Sequence, residues 1–477
     1  MKGSIVIPIP SASQKAKNRG EKEYGIYRAQ IEVDQVYEQL VISFYGNKIK
    51  WFTCIVYDQN DEIRGQVVQT NKKPLERLFI GREEQFNSAT SKPGLIAPGV
   101  WKLEFEILHN PQEAIQVEVK YELRKKGEVA NDYLPQQQNI YKHPPLQKTQ
   151  KRWYKGDFHT HTQYSDGAMT RERNLEMAAQ QKLDFFVATE HNITPHFWPK
   201  NEAVVPFPGV ELTTPKGHAN FLFIHRPIFS NCSLSDMYSE KGVSKIIERN
   251  QDNGLFSINH PFLKPWAWEL HETKIEVIDS LELCNDPTYI DNPQATEQAL
   301  SFWSFLLNEG YRITGIGGSD SHILPEEKYP YASEPSLIGD PATYVYAESL
   351  TAEALKDGIR SGHVIISRDG FIDIQVKGES LLPGDTLTKS SGELTVQLER
   401  GEDSLIQWVV DGQIVQIDYG KESTYIYHFA ENSYHWVRAD VRDRKNRFIG
   451  TTNPFYWGTK QPQLITWGEA VYEWNRQ

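Results

Sequence analysis

Gly156 to Gly167 reads Gly-Asp-Phe-His-Thr-His-Thr-Gln-Tyr-Ser-Asp-Gly, which sets two imidazoles, His159 and His161, two residues apart with the Asp166 carboxylate further along. On a strand, residues at this spacing point to one face, so both rings look the same way. Two neutral imidazoles converging from one strand supply half of a four-coordinate set around a transition-metal ion. A lone His-x-His pair also occurs as two solvated residues, so the remainder of the chain has to decide.

Further on, acid and imidazole groups recur at the ends of apolar, strand-like runs. Leu183 to Ala188 ends in Thr189-Glu190-His191, and Val204 to Val210 ends in Glu211 within Pro208-Gly209-Val210-Glu211. His218 precedes Phe221 to Ile224, Phe256-Ser257-Ile258 runs into Asn259-His260-Pro261, and Ile313 to Ile316 ends in Gly317-Gly318-Ser319-Asp320-Ser321-His322. Strand C-termini are where α/β folds place their sites, and repetition over several strands makes coincidence a poor explanation.

This ordered set, His-x-His with a Ser-Asp-Gly tail, Thr-Glu-His, Pro-Gly-Val-Glu, an isolated His, Asn-His-Pro and Gly-Ser-Asp-Ser-His, resembles the PHP (polymerase and histidinol phosphatase) superfamily. The nearest look within it is to metallohydrolases of the CehA/McbA type, over about residues 151 to 370. Glu190 departs from the pattern, since the family usually has Asp there. The resemblance implies a distorted β/α barrel carrying two or three divalent ions. His159, His161, Glu211 and Asp320 would hold the first; Glu211, His218 and His260 the second; Asp166, His191 and His322 the third.

Imidazole and carboxylate without thiolate suit Zn, Mn or Fe and do not choose among them. Paired ions lower the pKa of a shared water toward neutrality, making hydroxide available as a nucleophile, and a further ion stabilises charge building on phosphorus. A closed structural site would instead be four-liganded and commonly thiolate-rich. Asp157 reads as a carboxylate that orients a ligand rather than binding an ion. Arg368 is a candidate bidentate phosphate clamp, with an ordinary salt bridge as its alternative. His225 and His196 read first as ordinary polar residues and second as lesser ligand candidates, His225 being the runner-up for the place of His218, and Trp266 and Trp268 shape a pocket or fill a core. Amidohydrolase-type barrels also open on His-x-His, but they usually add a bridging Lys where this chain offers Glu211.

The predicted function is a metal-dependent phosphoesterase acting on a small molecule. Activated hydroxide attacks a carbonyl carbon equally well, so a carbamate or ester hydrolase is the alternative. A non-catalytic scaffold that binds glycan or protein through its β domains is the remaining reading, prompted by 12 Trp and 12% aromatic content.

Those ligands need a frame, and the pattern divides the 477 residues into zones. Residues 1–131 read as an N-terminal antiparallel β-sandwich, in which Gly46-Asn47-Lys48 marks a hairpin and Trp101 to Phe105 alternates apolar with polar. Residues 132–150, with Pro135, Pro144 and Pro145, read as a linker. Over 151–370, strand-like and helix-like runs alternate, with Thr170 and Thr351 as helix caps and Gly362 as a stop. Residues 371–477 read as a second β-sandwich with a type I′ hairpin at Asp411-Gly412 and a half-buried strand at Val437, Ala439 and Val441.

Composition excludes several classes. Hydrophobic residues at 39% and charged residues at 24% describe a folded globular chain rather than a disordered one. A net charge of −12 opposes a general nucleic-acid surface. No apolar run reaches the roughly 20 residues that cross a bilayer. Prolines break the only short apolar stretch near the start, so a cytoplasmic location is expected. Cys54, Cys232 and Cys284 are too few and too scattered for a disulfide framework.

Overall fold

The computed structural model describes residues 1–11, 23–46, 49–70, 77–109, 114–128, 137–142 and 150–477. Eight strands make the N-terminal part: β1 (Lys2–Ile9), β2 (Glu23–Val33), β3 (Gln39–Gly46), β4 (Ile49–Tyr57), β5 (Ile63–Thr70), β6 (Arg77–Gly81), β7 (Gly99–His109) and β8 (Ile115–Arg124). They form two antiparallel four-stranded sheets, ordered β1-β8-β3-β6 and β2-β7-β4-β5, over a core that includes Phe44, Phe52, Trp101 and Phe105. The expected hairpin between β3 and β4 is not made. The two strands enter opposite sheets, so the chain crosses the sandwich between them, and Asn47 and Lys48 lie outside the described residues.

Alternation along β7 holds for Trp101, Leu103 and Phe105, yet Glu104 and Glu106 on the other face are also buried. The central part of the molecule covers that face: Glu104 accepts the Leu234 N–H at 2.9 Å and the Ser233 hydroxyl at 2.7 Å, and Glu106 accepts the Tyr238 phenol. Of the predicted linker, Pro135, Pro144 and Pro145 lie outside the described residues. Within it, β9 (Gln137–Asn139) pairs antiparallel with β12 (Phe197–Pro199), so part of that stretch is built into the fold.

The central strands are β10 (Arg152–Asp157), β11 (Phe185–Ala188), β13 (Val205–Thr214), β14 (Gly217–Leu222), β15 (Leu255–Ile258), β16 (Ser280–Asn285), β17 (Thr314–Gly318), β18 (Ala342–Ala347) and β19 (Val364–Ser367). They lie in the order β17-β16-β15-β14-β13-β11-β10-β18-β19. β10, β11 and β13 run parallel, as do β15, β16 and β17, while β14 is antiparallel to both of its neighbours. The C-terminal ends of six strands therefore share one edge with the start of β14. Helices α1 (Arg171–Gln180), α2 (Glu240–Arg249), α3 (Asn292–Asn308) and α4 (Ala352–Arg360) connect them. Thr170 and Thr351 cap α1 and α4 through their hydroxyls, and Gly362 follows α4 with φ of 72°.

The expected barrel is not closed by a strand ladder among the described residues. The sheet curls until β17 meets the β10 and β18 side, and single clasps replace a ladder there. The Asp320 N–H donates to the His159 carbonyl at 2.8 Å, and the Thr343 hydroxyl bonds both the N–H and the carbonyl of Gly317.

The same sheet continues beyond β19. β19 pairs with β26 (Phe448–Thr452), which leads on to β25 (His435–Arg442), β22 (Leu405–Val410) and β23 (Gln413–Tyr419). A second sheet of β20 (Ile372–Val376), β21 (Ser391–Leu398) and β24 (Glu422–His428) packs on it around Trp408 and Tyr427. Asp411 and Gly412 take φ of 50° and 84° between the paired strands β22 and β23, as a type I′ turn requires. β25 is buried on both faces rather than one. Arg438 and Asp440 pair with each other at 2.8 Å, and Arg438 also reaches Ser304 of α3. Helix α5 (Trp467–Trp474) closes the chain against α3.

Candidate metal centre

The site gathers at the shared strand edge. His159 and His161 lie just past the end of β10 rather than on it, held extended by the Thr160 bridge to Ser321 and by the Thr160 N–H bond to the Thr189 hydroxyl. Thr160 faces away, and its two neighbours face inward. His191 follows β11, His260 follows β15, and Asp320 and His322 follow β17. Glu211 stands within β13, and His218 opens β14 across from Thr213, two residues beyond Glu211, so the hairpin presents both side chains on one face.

Glu211 is the hub. Its Oε1 lies 3.3 Å from His159 Nε2, 3.1 Å from His218 Nδ1 and 3.6 Å from His260 Nε2; its Oε2 lies 2.8 Å from His191 Nδ1 and 3.4 Å from His161 Nε2. Asp320 Oδ1 sits 3.2 and 3.1 Å from the Nε2 atoms of His159 and His161. Asp166 Oδ1 sits 3.3 and 3.2 Å from those of His191 and His322. All nine residues whose ligand roles the resemblance implies come together. The grouping differs in detail: His161 also joins Asp166, His191 and His322, while His218 groups with His191 and His260 with His159, each around Glu211.

Several polar atoms at the centre are among those left unsatisfied. His159 Nε2, His161 Nε2, Asp166 Oδ1 and Glu211 Oε2 are buried without a hydrogen bond, although they face one another at close range. Leaving such atoms unpaired is costly, and a bound cation would satisfy the acceptors together. The donor set, imidazole and carboxylate from several strands, therefore fits divalent ions.

Around the ligands, polar partners fix their orientation. Glu282, on β16, lies 2.9 Å from His159 Nδ1 and accepts the His260 N–H at 2.8 Å with its other oxygen. Thr213 contacts His191 Nδ1 at 2.5 Å, the Asp320 carbonyl meets His322 Nδ1 at 2.7 Å, and the amides of Asn259 and Asn285 donate to Glu211 and Asp320. Asp157 touches no ligand ring. Its carboxylate accepts the N–H groups of His159, Ser319 and Gly339, tying three loops together, and burial raises its pKa to about 6. Glu190 does similar work beside it, accepting the Thr162 N–H at 3.1 Å and the hydroxyls of Thr162 and Ser165. His260, Asp320 and Asp286 all hold positive φ (28°, 47° and 26°), strained for residues other than glycine and concentrated at this edge.

Charge follows the same geometry. Burial opposes protonation of His159, but Asp320, Glu282 and Glu211 together hold its pKa well above the ordinary value, and burial is likewise overcome at His191 by Asp166 and Glu211. Burial opposes protonation of His322, but neighbouring Asp166 and Asp320 raise its pKa to about 9, whereas burial, His322 and His191 bring His161 down to about 3. Despite burial, the surrounding imidazoles hold Glu211, Asp166 and Asp320 below the ordinary carboxylate range.

Several expectations need correction. Arg368 is not a clamp at the centre: its guanidinium forks onto Asp340 at 2.8 and 3.0 Å and reaches Glu334, away from the cavity at the ligands. His225 pairs with Arg226 near Asn253, and His196 is buried against Tyr141; neither joins the centre. The tryptophans divide, with Trp266 on the cavity wall and Trp268 buried against Phe256. Sequence reasoning missed Glu282, an acid inside an apolar strand with no local signal. It also missed Asn285 and Asp286, which the strand-end rule, applied to β16, would have flagged. From the N-terminal sandwich, the Trp51 ring meets His191 edge-on at 5.6 Å, a contact without any motif.

A cavity of about 230 Å³ opens on the ligands, and its other walls are Leu263, Trp266, Asp286, Tyr289, Asn292 and Tyr329. Among the described residues, no Lys or Arg lines it.

No protein-family model matches the chain, and no curated protein is similar to it. Among solved structures it is similar to a two-domain protein from Bacteroides vulgatus containing a predicted PHP-like metal-dependent phosphoesterase, at 15% identity over 68% of this chain and 100% of that one, with a TM-score of 0.35. Fibronectin(III)-like modules of CbhA from Clostridium thermocellum match 19% of this chain and 100% of their own at 12% identity, with a TM-score of 0.14. Superpositions this loose carry no weight for fold or chemistry, which rest on the side chains.

Proposed function

We propose that this chain is a metal-dependent hydrolase of the PHP type, acting on a small phosphoester through a centre of two or three divalent ions. The observation that carries the reading is the cluster of buried, unsatisfied imidazole nitrogens and carboxylate oxygens around Glu211 at the mouth of a cavity. His159, His161 and Asp320 would hold one ion, with Glu211 reaching toward it; His159, Glu211 and His260 face a second point, and His161, Asp166, His191 and His322 a third. Divalent ions there would supply Lewis acidity and a water of lowered pKa.

The residues of the chain do the rest. Glu282 and Thr213 hold the His159 and His191 rings in place, and Asn285 steadies Asp320. A carbamate or ester substrate is the second reading, favoured by one feature: with Arg368 held by Asp340, the cavity has no Lys or Arg among the described residues to meet a phosphate.

Turnover of a phosphodiester, a phosphomonoester and an aryl carbamate, each with protein loaded with Mn²⁺, Zn²⁺ or Fe²⁺, tests both readings. Phosphoester cleavage that Asp320→Ala lowers by at least about 10²-fold, with loss of bound metal, is the expected result. Carbamate cleavage alone moves the protein to the second reading. Silence with metal measured in the protein leaves only the binding scaffold.

A further inference from the structure

The cavity walls carry a second message. Trp266, Tyr289 and Tyr329 stand at steep angles to one another, with Tyr289 edge-on to Trp266 at 6.3 Å and to Tyr329 at 5.4 Å, so they form a concave aromatic corner rather than a stack. Asp286 completes that corner. It belongs to none of the ligand groups, is 3% exposed, and sits on strained backbone directly after β16. The Thr288 hydroxyl donates to it at 2.8 Å, and the Tyr329 and Ser336 hydroxyls also bond it, so three hydroxyls hold the carboxylate in place. Asp320 lies close enough to act on it electrostatically, and among the described residues no Lys or Arg of the cavity neutralises it.

A buried carboxylate held beside a second one is costly unless a cation comes to it. Aromatic faces gathered around such a carboxylate attract cations through their quadrupoles, and alkylammonium groups are the ligands that aromatic cages take. A neutral hydrocarbon would be served by the rings alone and would leave Asp286 without a counter-charge.

We propose that the cavity selects substrates whose non-reacting end carries an alkylammonium group, a quaternary one best, held by Trp266, Tyr289 and Tyr329 with Asp286 as its counter-charge. The phosphoester at the other end rests on the function proposed above; the cation site does not. A compact example of the class is phosphocholine, and its neutral isostere is 3,3-dimethylbutyl phosphate.

The test pairs binding with turnover on the metal-loaded full chain. Calorimetry with choline and with 3,3-dimethylbutanol should show the cation bound at least about tenfold tighter, a preference that collapses in Asp286→Asn and in Trp266→Leu. Trp266 is 38% exposed, so its replacement leaves the core intact. The ratio of kcat/KM for the two phosphoesters should follow the same pattern. Equal binding of choline and its isostere overturns the proposal. So does an Asp286→Asn variant that loses rate on both esters alike while keeping the binding preference, because Asp286 would then be handling a proton. A binding preference without cleavage of any phosphoester upholds the cation site and removes the phosphoester reading.

Discussion

Glu282 shows how much of the candidate centre depends on residues that stand behind the imidazoles. Both of its oxygens are in use, one at His159 Nδ1 and one on the His260 N–H. A glutamine there keeps the shape but can accept with only one oxygen, so one ligand loses its orientation. Glu282→Gln is therefore expected to weaken metal binding by about 10- to 100-fold, measured by competition with a chelator; unchanged affinity would remove Glu282 from the site. Protonation gives a second expectation. In the metal-free protein His322 has its pKa raised from 6.5 to about 9, and His159 and His191 shift in the same direction. Groups raised on folding contribute stability that is complete below the unfolded value and is lost as pH rises through the folded one. Metal-free protein should thus unfold at a lower temperature at pH 9.5 than at pH 6.5, while ions substituted for those protons should flatten the difference. A metal-free Tm that rises over this window would contradict the assigned charges.

At the scale of elements, the site depends on how closely strand ends approach. A Cβ added at Gly318, the last residue of β17, would stand 2.5 Å from the His159 Cβ and 2.9 Å from Glu282 Oε1. Gly318→Ala should displace His159 and reduce bound metal without unfolding the sheet, as metal content beside circular dichroism would show; full metal content would mean that the β10 and β17 ends have more room than these distances allow. This closeness also explains what could be read in advance. Ligands at strand ends announce themselves, because imidazoles and carboxylates interrupt apolar runs, and the Asp411-Gly412 turn is legible because its chemistry is local. Long-range pairing is not local. Nothing in Gly46 to Ile49 tells that β3 and β4 part into opposite sheets, and nothing around Arg438 or Asp440 tells that a second face of β25 is buried under α3. Glu282 was illegible for the same reason, since its role is defined by His159, far away in sequence.

For the whole molecule, the boundary expected near residue 370 is crossed by the structure that supports the site. β19 pairs with β26, so the central sheet and the C-terminal sheet are one. The Asn453 side chain bonds both the N–H and the carbonyl of Gly315 on β17, and its amide also reaches the Val364 carbonyl, clasping β17 to β19. Helix α5 covers Phe302 of α3 with Trp467 and Trp474 at 4.8 and 5.4 Å. On the other side the N-terminal sandwich bonds Thr194 through Gln66, His196 through the Ala89 carbonyl, and sets Trp51 against His191. A chain ending at residue 370 would therefore expose the β19 edge, deprive the Gly315 backbone of β17 of its Asn453 partner, and uncover the apolar face of α3. Each is a recognised source of aggregation or lost stability. Such a chain should be largely insoluble, or should melt well below the full-length protein and bind metal weakly, as soluble yield, thermal unfolding and metal content would record. A fragment ending at 370 that matched the full chain in all three would show that the C-terminal sandwich is an appendage. The shared sheet and the Asn453 clasp predict instead that it is part of the wall on which β17, and with it Asp320 and His322, is held.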